Sequence, residues 1–311
     1  MPNLSKPMRI IYSIALALMA ISKPLAAQDF KKGSDAYAVG DFATSLQEWR
    51  PLAEAGNFTA QFNLGVMYAN GQGVSQDFQE ALRWYRLSAE QGFANAQFEL
   101  GILYNNGQGV SEDLREAVKW YRLSAEQGYA WAQYQLGWNY YIGAGVSEDK
   151  KEAARWFRLS AEQGHAIAQF ALGHRYRHGN GVPQDYGEAL KWYRLAADQE
   201  DVSAQIELGH LYSDGEGVLQ DYREALKWYR LAAEQGDEIA QMILGRMHEN
   251  GLGVVQDYSL AHMWYNISAS NGSSYSRSLR DEISKKMTLL TIEKAQAMAR
   301  ECIRDYTSCG Y

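Results

Sequence analysis

The chain has 311 residues with 30 basic and 37 acidic side chains, a net charge of −7, and 46% hydrophobic content. So acidic a chain is a poor ligand for polyanions, which argues against nucleic acid and anionic membrane surfaces as partners. A length of this kind ordinarily means one large or two average domains, but internal repetition overrides that arithmetic.

At the N-terminus, Lys6 and Arg9 precede an apolar run from Ile10 to Ile21, followed by Pro24-Leu25-Ala26-Ala27 and a polar start. The pattern predicts a secretory signal peptide over residues 1–27. Its apolar run is about a dozen residues, short of the roughly 20 that span a bilayer. The alternative is a retained anchor. Cleavage after Ala27 removes Lys6, Arg9 and Lys23 and no acid, taking the charge from −7 to −10. The expected location is a bacterial periplasm, or the exterior, with no integral membrane segment after cleavage.

Residues 28–56 form a short unit in which Asp41 and Gly56 correspond to Asp77 and Gly92 of the repeats that follow. Trp84, Trp120, Trp156, Trp192, Trp228 and Trp264 are then each 36 residues apart, without insertion or deletion. Each unit divides into two helical patterns and a loop. In the first, helix A, Ala60, Leu64 and Tyr68 share one face. Gly71 stands where a helix C-cap wants a left-handed residue, and Asp77 opens helix B as its N-cap. Glu80, three residues later, predicts a reciprocal capping box, and the spacing recurs at Asp113/Glu116, Asp149/Glu152, Asp185/Glu188 and Asp221/Glu224.

Helix B carries a large aromatic pair, Trp84 and Tyr85, among small residues. Gly65 lies inside helix A, where it costs about 1 kcal/mol relative to Ala, yet it recurs as Gly101, Gly137, Gly173, Gly209 and Gly245. A penalty accepted at every copy predicts a close approach, by helix B of the same or an adjacent unit. Helix pairs this short cannot bury their own apolar faces, so they must stack. The expected fold is all-α.

The pattern Ala60-x-x-x-Leu64-Gly65-x-x-Tyr68, the loop Gly71-Gln72-Gly73-Val74, then Asp77, Ala81, Trp84-Tyr85, Ala89 and Gly92 resembles the Sel-one-like repeat, a relative of the tetratricopeptide repeat with a longer inter-helix loop. The resemblance covers residues 57–272 as six units, and residues 28–56 look like a plainer tetratricopeptide-like unit. It implies a right-handed α/α superhelical solenoid of stacked helix–loop–helix repeats, and a non-catalytic scaffold or adaptor that binds a protein or peptide. In solenoids of this kind helix A lines the concave groove.

Comparison of the copies locates the variable positions. They fall at i, i+4, i+7 and i+11 along helix A, one stripe of its surface. The stripe holds Asn63, Val66, Glu99, Ile102, Trp131, Gln135, Trp138, His174, His178, Glu207, His210 and Arg246. Around its centre, Trp131 and Trp138 are followed by His174 and His178, with Arg175 and Arg177 beside them. An exposed aromatic and cationic cluster is the composition of a partner anchor. The alternative is that the extra tryptophans pack between repeats.

Two departures bear on mechanics. Glu200 occupies the place of Gly92, which predicts a non-glycine cap or a changed turn with an altered stacking angle. In the last unit Leu260 and Met263 replace charged outward residues, which predicts a cover. The segment 273–311, with an amphipathic helix opened by Thr291 and a disulfide between Cys302 and Cys309, is the expected C-terminal cap.

Catalytic signals are thin. Ser147-Glu148-Asp149-Lys150 fits the S-x-x-K pattern of penicillin-recognising enzymes, which leaves a remote β-lactamase-like alternative, but the equivalent Ser75 and Ser111 segments mark it as an inter-helix loop. The Gly-x-Gly loop follows a helix rather than a strand and lacks phosphate-binding spacing. His174 and His178, with Glu207 or His210, are the only candidate metal set, without a recognisable ligand spacing. No cofactor, metal or enzymatic activity is expected, and the chain is expected to be monomeric. The second function class is a cell-wall glycan binder that stacks sugar rings on Trp131 and Trp138.

Overall fold

A computed structural model describes residues 29–305 and Cys309, so the signal peptide expected over residues 1–27 lies outside the described residues. Among the described residues there are sixteen helices and no strand. The N-terminal pair is α1 (Phe30–Ala38) and α2 (Phe42–Glu54). Helix A of the six full repeats is α3 (Phe58–Asn70), α5 (Ala94–Asn106), α7 (Ala130–Ile142), α9 (Ala166–His178), α11 (Val202–Asp214) and α13 (Glu238–Asn250). Helix B is α4 (Phe78–Glu90), α6 (Leu114–Glu126), α8 (Lys150–Glu162), α10 (Tyr186–Ala197), α12 (Tyr222–Glu234) and α14 (Tyr258–Ser270). The C-terminal pair is α15 (Ser274–Ser284) and α16 (Leu289–Arg304). None of these helices is long and apolar enough to cross a membrane. The architecture is an all-α repeat solenoid.

The loop chemistry sets the helix ends. Gly71 closes α3 in the left-handed region, φ 67°, with its N–H on the Met67 carbonyl. Asp77 opens α4, its carboxylate accepting from the N–H groups of Gln79 and Glu80. The reciprocal half of the expected capping box does not form. The Asp77 N–H donates instead to the Tyr68 carbonyl at 3.0 Å, and Glu80 turns outward to Arg83 at 3.0 Å. The loop folds Asp77 back onto the end of helix A, where an orphan carbonyl takes its N–H and leaves the glutamate to an ion pair one turn on. The same exchange recurs at Asp113, Asp149, Asp185 and Asp221, bonded to Tyr104, Tyr140, Tyr176 and Tyr212.

The internal glycine answers to helix B of its own repeat. A methyl group on Gly101 would lie 2.6 Å from the ring of Tyr121, and one on Gly173 would lie 2.8 Å from Tyr193. Gly65, Gly137, Gly209 and Gly245 meet Tyr85, Phe157, Tyr229 and Tyr265 in the same way, and Gly33 meets Trp49 in the N-terminal pair. Two helices can therefore close over an aromatic ring.

Contacts divide the chain into two compact units, the first reaching Ala132 with Gly143–Ser147 added, the second comprising Gln133–Ile142 and the chain from Glu148. In the first, Trp49, Leu64, Met67 and Trp84 form one cluster, and Tyr85, Leu100 and Leu103 the next, with the half-buried Trp120 against it. In the second, Phe157, Leu172, Trp192 and Tyr193 pack together, with Trp228 at their edge. Tyr229, Leu244, Met263 and Trp264 form a further cluster. Trp156 is also buried.

Polar side chains stitch successive repeats within each unit. Gln127 donates to Gln97 at 2.7 Å, and Gln97 donates to the Ala89 carbonyl at 3.1 Å. In the second unit Gln163–Gln133, Gln199–Gln169, Gln235–Gln205 and Asn271–Gln241 continue the series at 2.7–3.1 Å. The series passes Glu200 unbroken. That residue takes φ 66° itself, the one non-glycine residue in the left-handed region among the described residues. Its N–H still reaches Ala197, at 2.9 Å, and α10 is one residue shorter than the other B helices.

The C-terminal helices supply the cover. Met263 and Ile267 are fully buried, in one cluster with Ala299, Cys302 and Cys309. Cys302 and Cys309 form a disulfide. The cap of the last helix is Thr288 rather than Thr291: the Thr288 side chain accepts from the Thr291 N–H. Thr291 in turn donates its hydroxyl to the Thr288 carbonyl at 2.8 Å, and with the cap at Thr288 the helix gains three residues, 289–291.

Candidate functional site

Most of the stripe residues are partly buried at the edge of the helix A and helix B packing, His210 for instance standing 5.5 Å from the Tyr229 ring. In the first unit Asn63, Val66, Glu99 and Ile102 are partly exposed, and Trp131 is 47% exposed. Asn63 and Val66 also line a cleft of about 300 Å³ with Ser34, Tyr37, Trp49 and Phe62. Glu99 is half-buried, and burial raises its pKa above the ordinary carboxylate value.

In the second unit Trp138 is 39% exposed. Its ring stands 5.6 Å from Tyr141, tilted by 35°. The Arg175 guanidinium also packs on Tyr141, 3.7 Å from the ring centroid. Gln135 is partly exposed and donates to Asn139 at 3.3 Å.

The cationic part of the expected cluster is corrected. Arg175 is 5% exposed, its guanidinium packed over the rings of Tyr141 and Phe157, whose faces attract a cation. Arg177 is neutralised by Glu207 and by Glu216, the latter at 3.0 Å, with Asp214 at 4.0 Å. The rings of His174 and His178 lie with centroids 4.3 Å apart, tilted by 48°. Burial first, then the charges of His178, Arg175 and Arg177, lower the His174 pKa to about 4. His174 is therefore neutral near pH 7, and the middle of this face presents aromatic and amide groups rather than free positive charge.

Nor do the neighbours complete a metal set. Glu207 is held by Arg177, and His210 Nδ1 shares a 2.8 Å hydrogen bond with the Tyr229 hydroxyl. Among the described residues no group of three His, Cys, Asp or Glu side chains converges on a point. His210, Asp214, Tyr229 and Arg246 instead line a cleft of about 350 Å³. The S-x-x-K lysine, Lys150, is paired with Glu148 at 3.3 Å.

The profile of the Sel1 repeat matches residues 59–93, 94–129, 132–165, 166–201, 202–237 and 239–273. The chain belongs to the Sel1 repeat family. Such proteins generally act as protein-interaction scaffolds and are typically non-catalytic. Among solved structures, the chain is similar to c5321, described as a protective antigen of uropathogenic Escherichia coli strains with an SLR fold. The likeness has 37% identity and a TM-score of 0.76, and covers 82% of this chain and 56% of that one, so the chain spans little more than half of that relative. A Sel1 repeat protein from Oxalobacter formigenes is 35% identical, with a TM-score of 0.69 over 78% of this chain and 99% of that one. No curated protein matches the chain.

Within this Sel1 repeat array, the residue that copy comparison missed is Tyr141. It occupies the position of Arg177 one repeat earlier, and only its contacts with Trp138 and Arg175 show that it belongs to the exposed aromatic surface. The signal was available as a second varying position beside the stripe, held in turn by Ala69, Asn105, Tyr141, Arg177, Ser213 and Glu249.

Proposed function

We propose that this protein is a non-catalytic periplasmic scaffold that binds a protein or peptide partner along the variable face of its A helices. The observation that carries the reading is the exposure of Trp138 beside Tyr141 on a face where the repeats otherwise disagree. Large aromatic side chains held rigidly at a surface give contact area at small entropic cost, the composition of interface hot spots. Export is supported by the N-terminal pattern of Lys6, Arg9 and the apolar run, and by the Cys302–Cys309 disulfide, a bond that oxidising compartments preserve.

The test is a pull-down from periplasmic extract with the native protein and with a variant carrying both Trp131→Ala and Trp138→Ala. Loss of protein partners from the variant supports the reading; retention of the same partners contradicts it. The second reading, stacking of cell-wall glycan, rests on the same exposed indoles. It gains if the variant keeps its protein partners and loses only sedimentation with isolated cell wall.

A further inference from the structure

Two glutamates, Glu99 and Glu207, hold the same position three repeats apart, and the structure treats them differently. Glu207 sits beside the buried Tyr193 and Tyr229, whose hydroxyls feel its charge, and it is met by the guanidinium of Arg177. Glu99 sits in the same relation to Tyr85 and Tyr121. The residue that corresponds to Arg177 is Ala69. No hydrogen bond or ion pair reaches the Glu99 carboxylate from the described residues, although it is half-buried.

A half-buried carboxylate without a counter-charge is costly, and a cation brought to it regains part of the lost hydration. The neighbours of the Arg177 pair also change in a consistent sense. Asp214 and Glu216, the acids that share Arg177 with Glu207, become Asn106 and Gln108 beside Glu99. A single carboxylate flanked by two amides matches one incoming cation. Glu99 is also open enough to be reached, on the same stripe as Asn63 and Val66 of the neighbouring cleft.

From this pairing we infer that Glu99 is the anchor for a basic side chain of the partner, an arginine guanidinium or lysine ammonium, entering the space over Ala69 that Arg177 fills for Glu207. The inference rests on the reading that the helix-A face takes the partner, and it adds the charge that the partner must bring. Arginine is the better fit because the internal example is a guanidinium, which presents several donors in a fixed fork.

The probe is an acetylated, amidated Gly-Arg-Gly-Arg-Gly peptide, with a counterpart in which citrulline replaces arginine, titrated into the full chain. The wild type should prefer the arginine peptide by about tenfold, the scale of one partly desolvated ion pair. Glu99→Gln should reduce the preference to within about twofold. Ala69→Arg should do the same while raising or preserving thermal stability, because it installs the internal cation. Glu126→Gln, an exposed outer-face carboxylate lost from helix B, should leave the preference intact. Equal binding of the two peptides by the wild type, or an undiminished preference in Glu99→Gln, overturns the inference. Either result leaves the tryptophan pull-down untouched, so the two readings fail separately.

Discussion

The side-chain amide of Gln127 donates to the side-chain carbonyl of Gln97 at 2.7 Å, while Gln97 donates to the Ala89 carbonyl at 3.1 Å. Gln97 is 5% exposed, so one buried side chain satisfies a helix-end carbonyl and the next repeat at once. Gln97→Ala removes both bonds, although the Gly92 N–H still reaches the Ala89 carbonyl and Gln127 is exposed to water, so it should cost about 0.5–1.5 kcal/mol for each bond lost. A lowered urea midpoint checks this, and no change would show the chain of amides to be incidental.

Gly101→Ala opposes two effects of known sign. Helix propensity gains about 1 kcal/mol, but a methyl 2.6 Å from the Tyr121 ring must displace it. Overpacking of this kind costs about 1–3 kcal/mol, and the clash should win. The variant should unfold earlier in urea, and Tyr121→Leu in the same chain should recover part of the loss.

Glu200→Gly acts in the opposite direction. Glu200 holds φ 66°, a conformation that costs a non-glycine residue about 1 kcal/mol or slightly more. Replacement should raise stability by about 1 kcal/mol, read as a higher thermal midpoint. A fall in the midpoint would mean that the Glu200 side chain has a role its backbone does not reveal.

Reduction of the Cys302–Cys309 disulfide, or its replacement by serines, should destabilise the C-terminal cover by about 2–3 kcal/mol, given the short loop it closes. The separation is seven residues, and both sulfurs are fully buried in one cluster with Met263 and Ala299. Faster amide exchange in α14 under reducing conditions is the expected observation.

The helix boundaries and the glycine–aromatic contacts were legible because each depends on residues close in sequence or repeated in phase. Asp77 had to cap, and Gly101 had to meet a bulky neighbour. The fate of Glu80 was less legible, since a capping box and an ion pair with Arg83 use the same carboxylate and the choice depends on how the loop returns Asp77 to Tyr68. The charge of the variable face is hidden in the sequence for the same reason. Arg175 and Arg177 look cationic in the sequence, but their partners, Tyr141 and Glu207, lie in neighbouring repeats. A one-repeat view cannot show which charges are cancelled.

Histidine titration gives a signed pH prediction. The His174 pKa is lowered to about 4, by burial first and by nearby positive charge next, and burial also lowers His165, His248 and His262. A histidine with a depressed folded pKa binds fewer protons folded than unfolded, so stability is full above the unfolded value of about 6.5 and falls as the pH drops toward 4. The thermal midpoint should decline across that window. His174→Asn should make the decline shallower, and an unchanged slope would show that His174 is not among the groups responsible.

Partner recognition by the variable face of helix A is tested most directly by site-specific photo-crosslinking in the native compartment. A photoreactive phenylalanine analogue replaces Trp138 on helix A in one chain and the exposed Lys191 on helix B in another. Recognition through helix A requires a discrete protein adduct from position 138 that is absent from position 191. Adducts of the same partner from both positions, or from position 191 alone, would contradict it.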